Sequence, residues 1–175
     1  MKKILPVKLS IKSFELYGEV IGTHNNKPDM RTDTFDYWHN EIDLSNFTVK
    51  TTCGWLDLKH KGFTITNLQR LPKSDEAYLA TDSNISFIPV APNDPETNLP
   101  DYKKFKVFTI EKGMGVIVKK DIWHWAPFPL SQLCTFVLLV RSNCFIEDKK
   151  PLATNPKNVF VIDCEPYEIG IKPGK

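Results

Sequence analysis

The chain has 175 residues, a length that suits one domain able to bury its own core without disulfides or metal. Its 23 basic and 21 acidic residues leave a formal net charge of +2, and 41% hydrophobic with 25% charged residues is a globular composition, which excludes a disordered tail and a coiled coil. The lysines are scattered without a basic stripe, against a nucleic-acid partner. The longest apolar run, Phe136 to Val140, is far below the roughly 20 residues of a membrane span.

The opening Met1–Lys8 is basic but lacks the apolar stretch of a signal peptide. The four cysteines, Cys53, Cys134, Cys144 and Cys164, are widely spaced with no Cys-x-x-Cys pair. Reduced, packed thiols and a cytoplasmic location are the expectation. Thirteen prolines and eleven phenylalanines favour short strands and turns over long helices.

In chain order, Ser10 is a cap for one helix, Phe14 and Leu16-Tyr17 give it an apolar face, and Gly18 is a natural stop. Residues 22 to 46 are polar, with Asn25–Asp29 reading as a loop. Within them the cluster Phe35-Asp36-Tyr37-Trp38-His39 is costly to leave in water, so a lid over the rest of the domain is expected near residues 24–46. Strands are then predicted at Phe47–Cys53, Phe63–Arg70, Ala77–Ala80, Ile85–Ala91, Phe105–Ile110, Gly115–Lys119, Cys134–Arg141 and Val159–Asp163. Turn signals such as Lys61-Gly62, Leu71-Pro72, Asp82-Ser83-Asn84 and Lys112-Gly113 separate them. The pattern is one all-β domain over residues 1–175, an antiparallel sandwich or barrel with a helical lead-in.

Phosphate-binding glycine loops and the Gly-x-Ser-x-Gly elbow are absent from the sequence. His24, His39, His60 and His124 are too dispersed for a local metal motif, and His24 and His60 sit in polar surroundings that predict exposure. Trp55, Trp123 and Trp125 read as core or interface residues, since no basic run accompanies them. Two segments carry more. In Thr66–Tyr78, alternation puts Gln69 and Leu71 on one face of a strand, and Glu76 begins the next. In Gly113–Pro127, a glycine turn, a short strand and a reverse turn deliver His124, flanked by Trp123 and Trp125, towards a barrel interior.

The order and spacing of these segments resemble the two halves of a cupin barrel, and more specifically the ureidoglycolate lyase family. Leu68-Gln69-Arg70-Leu71-Pro72 is similar to that family's Leu-Glu-Arg-His-Pro, and Ile85–Pro92 to its apolar strand ending in Ala-Pro. Gly115–His124 is similar to its Gly-strand-turn-Trp-His segment, and Arg141 falls where the family closes a late strand. The resemblance implies a cupin-like double-stranded β-barrel (jelly roll) with a short N-terminal helix, working as a homodimer. Where the family has Glu, His, Gln, His and His, this chain has Gln69, Leu71, Glu76, Lys119 and Trp125. A mononuclear cupin site would fall on Gln69, Leu71, Glu76 and His124. Leu cannot ligate and Gln is a poor ligand, so no metal and no other cofactor is expected.

What the resemblance implies is a metal-independent carbon–nitrogen lyase acting on a small acid, with ureidoglycolate giving urea and glyoxylate. Glu76 and His124 are its candidate acid–base pair, in either order, since one group must take the hydroxyl proton and another protonate the departing nitrogen. Arg70 or Lys119 is the candidate for the substrate carboxylate, with Gln69, Tyr78 and Trp123 as further substrate-binding residues. The alternatives are a cupin that binds a small molecule without chemistry, and a metal-dependent isomerase or dioxygenase, against which Leu71 argues.

Overall fold

The computed structural model describes residues 1–22, 27–38, 44, 47, 50–142 and 159–171. The chain opens with two short strands, β1 (Lys2–Ile4) and β2 (Val7–Lys8), and a single helical turn, α1 (Ile11–Phe14). Ser10 caps that turn: its hydroxyl accepts from the Ser13 N–H, while the Ser13 hydroxyl takes the Ser10 N–H in return. The helix is shorter than the sequence suggests. Gly18 does not follow it as a stop but begins β3 (Gly18–Ile21), because the backbone there passes directly over a neighbouring strand.

The chain continues through β4 (Met30–Arg31), β5 (Asp36–Tyr37), β6 (Thr51–Lys59), β7 (Thr64–Arg70), β8 (Glu76–Ala80), β9 (Ser86–Ala91) and β10 (Lys106–Ile110). The last strands are β11 (Gly115–Val118), β12 (Trp123–His124), β13 (Phe128–Pro129), β14 (Leu133–Arg141) and β15 (Phe160–Ile169). The predicted strand at Phe47–Cys53 starts later and runs on to Lys59. The one at Val159–Asp163 extends to Ile169, through a register shift between Asp163 and Tyr167.

Two sheets result. The larger has the order β1-β15-β7-β12-β9-β10-β2, with β13 also on β9; the smaller has the order β3-β11-β8-β14-β6. A first core lies between them, because it takes Val20, Tyr78, Val116 and Phe136 from the smaller sheet and Ile88, Val90, Phe108 and Ile110 from the larger. Phe14 and Tyr17 close one end of it against Phe108. A second core, with Ile65, Leu68, Phe87, Ala91, Val107 and Trp123, sits on the other face of the larger sheet. Strand β9 is therefore buried along its whole length, which explains its nearly unbroken apolar sequence. The protein is the all-β, cupin-like double-stranded barrel expected from the sequence. Among the described residues no helix is long and apolar enough to cross a membrane.

Trp55 is 68% exposed on β6, outside the core, which leaves the interface half of its reading. Two sequence expectations need correction. His60 is half-buried: its Nδ1 lies 2.9 Å from the Pro129 carbonyl oxygen and its ring packs on Phe63. Phe35 and Tyr37 belong to the separate β4–β5 hairpin and stay exposed, so burial does not hold that segment. His24 and His39 lie outside the described residues, as do residues 40–43, 45 and 46 of the expected lid.

Gly18 has no room for a side chain, since a Cβ would stand 1.7 Å from the Ile117 carbonyl oxygen, which is backbone and cannot yield. Gly62 has a φ of 85° and open space around it. Gly62→Ala is expected to cost about 1–2 kcal/mol, from backbone conformation alone, and Gly18→Ala distinctly more, about 3 kcal/mol. Urea unfolding of the two variants gives the comparison. A second expectation concerns the thiols. Burial, reinforced by Asp82, pushes Cys134 up to about 12, whereas Cys53 is exposed. Iodoacetamide at pH 8 should label Cys53 in the folded protein and reach Cys134 only after denaturation, as peptide mass spectrometry would read out.

Candidate active site

Glu76 is the first residue of β8 in the smaller sheet, and His124 is the last of β12 in the larger one. Their side chains meet across the barrel. Glu76 Oε2 lies 2.7 Å from His124 Nε2, and both side chains are 1% exposed. On its other side the imidazole has Nδ1 2.9 Å from the Ile122 carbonyl oxygen. A carbonyl can only accept, so Nδ1 carries a proton. One further proton is left for Nε2 and Oε2 to share. The second carboxylate oxygen, Oε1, is buried and has no hydrogen-bond partner among the described residues.

Strand alternation sorts the other candidates. Gln69 pairs with His124 across β7 and β12, and Arg70 pairs with Trp123. Gln69 therefore shares the interior face with His124, and its amide nitrogen stands 3.4 Å from Nε2. Tyr78 follows Glu76 by two residues, belongs to the first core, and turns its ring edge-on to His124 at 6.4 Å. Leu71 packs with Val140 and Val159, beside Leu138 and Val161, in a small apolar cluster. Leu138 also packs against the first core, so the polar group lies between two apolar regions.

Arg70 and Trp123 do not join this group. Trp123 lies in the second core, and the Arg70 guanidinium is buried against the Trp123 and Phe160 rings, at 5.1 and 4.7 Å. Nor does Lys119, which is exposed and extends towards the Glu15 carbonyl, 3.4 Å away. The expected anchors for a substrate carboxylate thus sit outside the barrel interior. Sequence reading missed two other residues at this end of the barrel. Asp75, buried, accepts the Lys120 N–H at 2.8 Å, and Asp121, with a φ of 65°, accepts from Arg70 Nη1 at 3.0 Å. The only signal was an aspartate in the turn of each candidate segment, and aspartate is common in turns for local reasons.

The fit of a metal can be judged from the donors. Gln69, Leu71, Glu76 and His124 offer one imidazole, one carboxylate, a weak amide and a hydrocarbon. The two good donors are bonded to each other. Among the described residues no three of His, Cys, Asp and Glu gather into a metal-holding group. This set does not fit a mononuclear metal centre.

Fold and site together define a β-barrel enclosing a buried carboxylate–imidazole pair. The profile of the ureidoglycolate lyase family matches residues 1–159, and the chain belongs to that family, which supports a lyase function. No curated protein sequence matches it. Among solved structures, RmlC from Streptococcus suis, in complex with dTDP-D-xylose, is similar at 13% identity and a TM-score of 0.45, over 58% of this chain and 49% of that one. The oxalate decarboxylase of Lactobacillus farciminis, in a formate complex, is similar at 13% identity and a TM-score of 0.37, over 62% and 29% of the two chains. The chain thus spans about half of the first structure and under a third of the second.

Removing one member of a buried pair strands the other. Glu76→Ala and His124→Ala should each destabilise the fold by about 3–5 kcal/mol. The double variant Glu76→Leu/His124→Leu should lose less than the sum of the two, because no polar group is then left unpaired. A double-mutant cycle in urea measures this.

Proposed function

We propose that the chain is a metal-independent carbon–nitrogen lyase that splits ureidoglycolate, or a closely related small 2-hydroxy ureido acid, into glyoxylate and urea. The observation that best supports this reading is the 2.7 Å contact between Glu76 Oε2 and His124 Nε2, beside a buried carboxylate oxygen with no partner among the described residues. Elimination of this kind needs no net proton. The substrate hydroxyl gives its proton to Glu76 as its oxygen forms the carbonyl of glyoxylate. The carbon–nitrogen bond breaks, and its electron pair stays on nitrogen. The proton held between Glu76 and His124 passes to that nitrogen and completes urea. The pair ends with the number of protons it began with, ready for another cycle.

Glu76 Oε1 is the natural acceptor for the incoming hydroxyl, since it is the buried oxygen that lacks a donor. His124 holds its proton on Nδ1 through the Ile122 carbonyl, which leaves Nε2 to exchange with Glu76 and the leaving group. Gln69 offers an amide that matches the ureido group on the same face. The donor set argues for chemistry by proton transfer alone.

The test is turnover of ureidoglycolate by purified protein. Glu76→Gln and His124→Ala should each lower the rate by roughly 10²–10⁴-fold, the scale of a positioned proton-transfer group. Full activity in Glu76→Gln would remove Glu76 as the base. An inactive wild type that still binds small acids would favour a binding protein. A homodimer is proposed as the working unit, on family grounds and on the exposed Trp55 next to Val137 on the outer face of the smaller sheet. Light scattering should then give twice the 20.1 kDa chain mass, and a mass of one chain would contradict it.

A further inference from the structure

We propose that Arg70 is a positioning residue for His124, acting from the opposite face of the sheet through the backbone of Ile122. This rests on the acid–base reading above only for its effect on rate. Its structural content stands by itself.

The chain crosses between the sheets twice at one end of the barrel. Residues 71–75 lead from β7 to Glu76, and residues 119–122 lead from β11 to β12 and His124. The two crossings are laced together. The Asp121 N–H donates to the Leu71 carbonyl at 3.0 Å, and the Lys120 N–H donates to Asp75 Oδ1 at 2.8 Å. Asp121 has a φ of 65°, a left-handed turn conformation that aspartate adopts more readily than most residues with a Cβ, and its side chain is held from one side.

Arg70 supplies that hold. Its Nη1 donates to Asp121 Oδ1 at 3.0 Å, and its guanidinium lies 5.1 Å from the Trp123 ring. Asp121 and Trp123 are the two neighbours of Ile122, so one buried side chain grips both ends of the residue whose carbonyl receives the His124 Nδ1 proton. Phe160, 4.7 Å from the guanidinium on its own strand, completes the setting. Arginine suits the task because its planar face lies against the rings while an Nη1–H reaches the carboxylate, and lysine has no such face. With Nδ1 committed to Ile122, Nε2 is the nitrogen that faces Glu76. Arg70 thereby selects which imidazole nitrogen does the chemistry without touching substrate.

The experiment follows the His124 ring nitrogens by NMR in uniformly ¹⁵N-labelled protein, with kinetics alongside. In the neutral imidazole of the wild type, the proton should sit on Nδ1 alone. In Arg70→Met, and in Asp121→Ala, where the altered side chain is half exposed and the fold is less at stake, a second population protonated on Nε2 should appear. The kcat for ureidoglycolate should fall by up to roughly 100-fold, the scale of a slight misplacement, with KM little changed. Lys2→Met, which breaks an ion pair on the far strand β1, should leave the nitrogen signals as they are. Unchanged His124 signals in both Arg70→Met and Asp121→Ala overturn the proposal, even if activity drops. A wild type without turnover sinks the lyase reading, and the nitrogen signals would still decide the role of Arg70.

Discussion

The contact between Glu76 and His124 is a buried polar bond that joins the two sheets across the interior. Neither group could be buried alone, because an isolated charge or an unmatched polar atom in an apolar core is strongly disfavoured. Each therefore requires the other at hydrogen-bonding distance, and that requirement fixes the sheets relative to one another. It also fixes the register of β12, which is only two residues long and is held between β7 and β9. A slip by one residue would carry His124 to the outer core and bring Trp123 inside. The indole cannot replace the imidazole there: its ring nitrogen only donates, and at present it donates to Asn93.

Two buried faces on one sheet allow adjacent residues to serve different purposes. Gln69 and His124 face the interior, while Arg70 and Trp123, one position away on each strand, build the outer layer. In a sheet with one wet face, the outer residues would be mobile side chains in water. Here the second core turns them into a rigid backing for the site. The layered arrangement also explains why a fully buried guanidinium is tolerated. It meets a carboxylate at the rim and aromatic faces on its flanks, so its charge is partnered where it leaves water.

The part of this legible in the sequence was the part written in periodicity. Apolar runs bounded by turn signals revealed β7, β9, β11 and β14, alternation in β7 put Gln69 on one face, and the glycine-strand-turn pattern aimed His124 inward. What the sequence hid depended on partners distant along the chain. Strands β1 and β2 are two or three residues long and pair in parallel with β15 and β10, so no local pattern announces them. Gly18 looked like a helix stop because glycine serves both that purpose and close backbone approach, and only the neighbouring β11 distinguishes them. Arg70 and Lys119 were read as anion anchors from their chemistry. Their exclusion from the interior follows from strand parity and from the turn after Val118, which takes a register to establish. Glu76, after the polar run Lys73-Ser74-Asp75, looked as fit for solvent as for a core. The residue that buries it, His124, is 48 positions away.

The donor set of the interior bears on what it can hold. A metal centre asks several donors to converge on one point and forbids them to bond to each other. Leu71 removes one donor and adds hydrocarbon to a cluster with Val140 and Val159, which lowers the polarity around the remaining groups. In such surroundings a lone carboxylate and a lone imidazole have one favourable arrangement, a short bond to each other, and they adopt it at 2.7 Å. The apolar contacts that make the interior unsuitable for a cation also keep competing water from the shared proton, and the Ile122 carbonyl supplies the remaining direction to the imidazole. What the pair lacks is a partner for Glu76 Oε1, and a group that donates a hydrogen bond there would complete the arrangement.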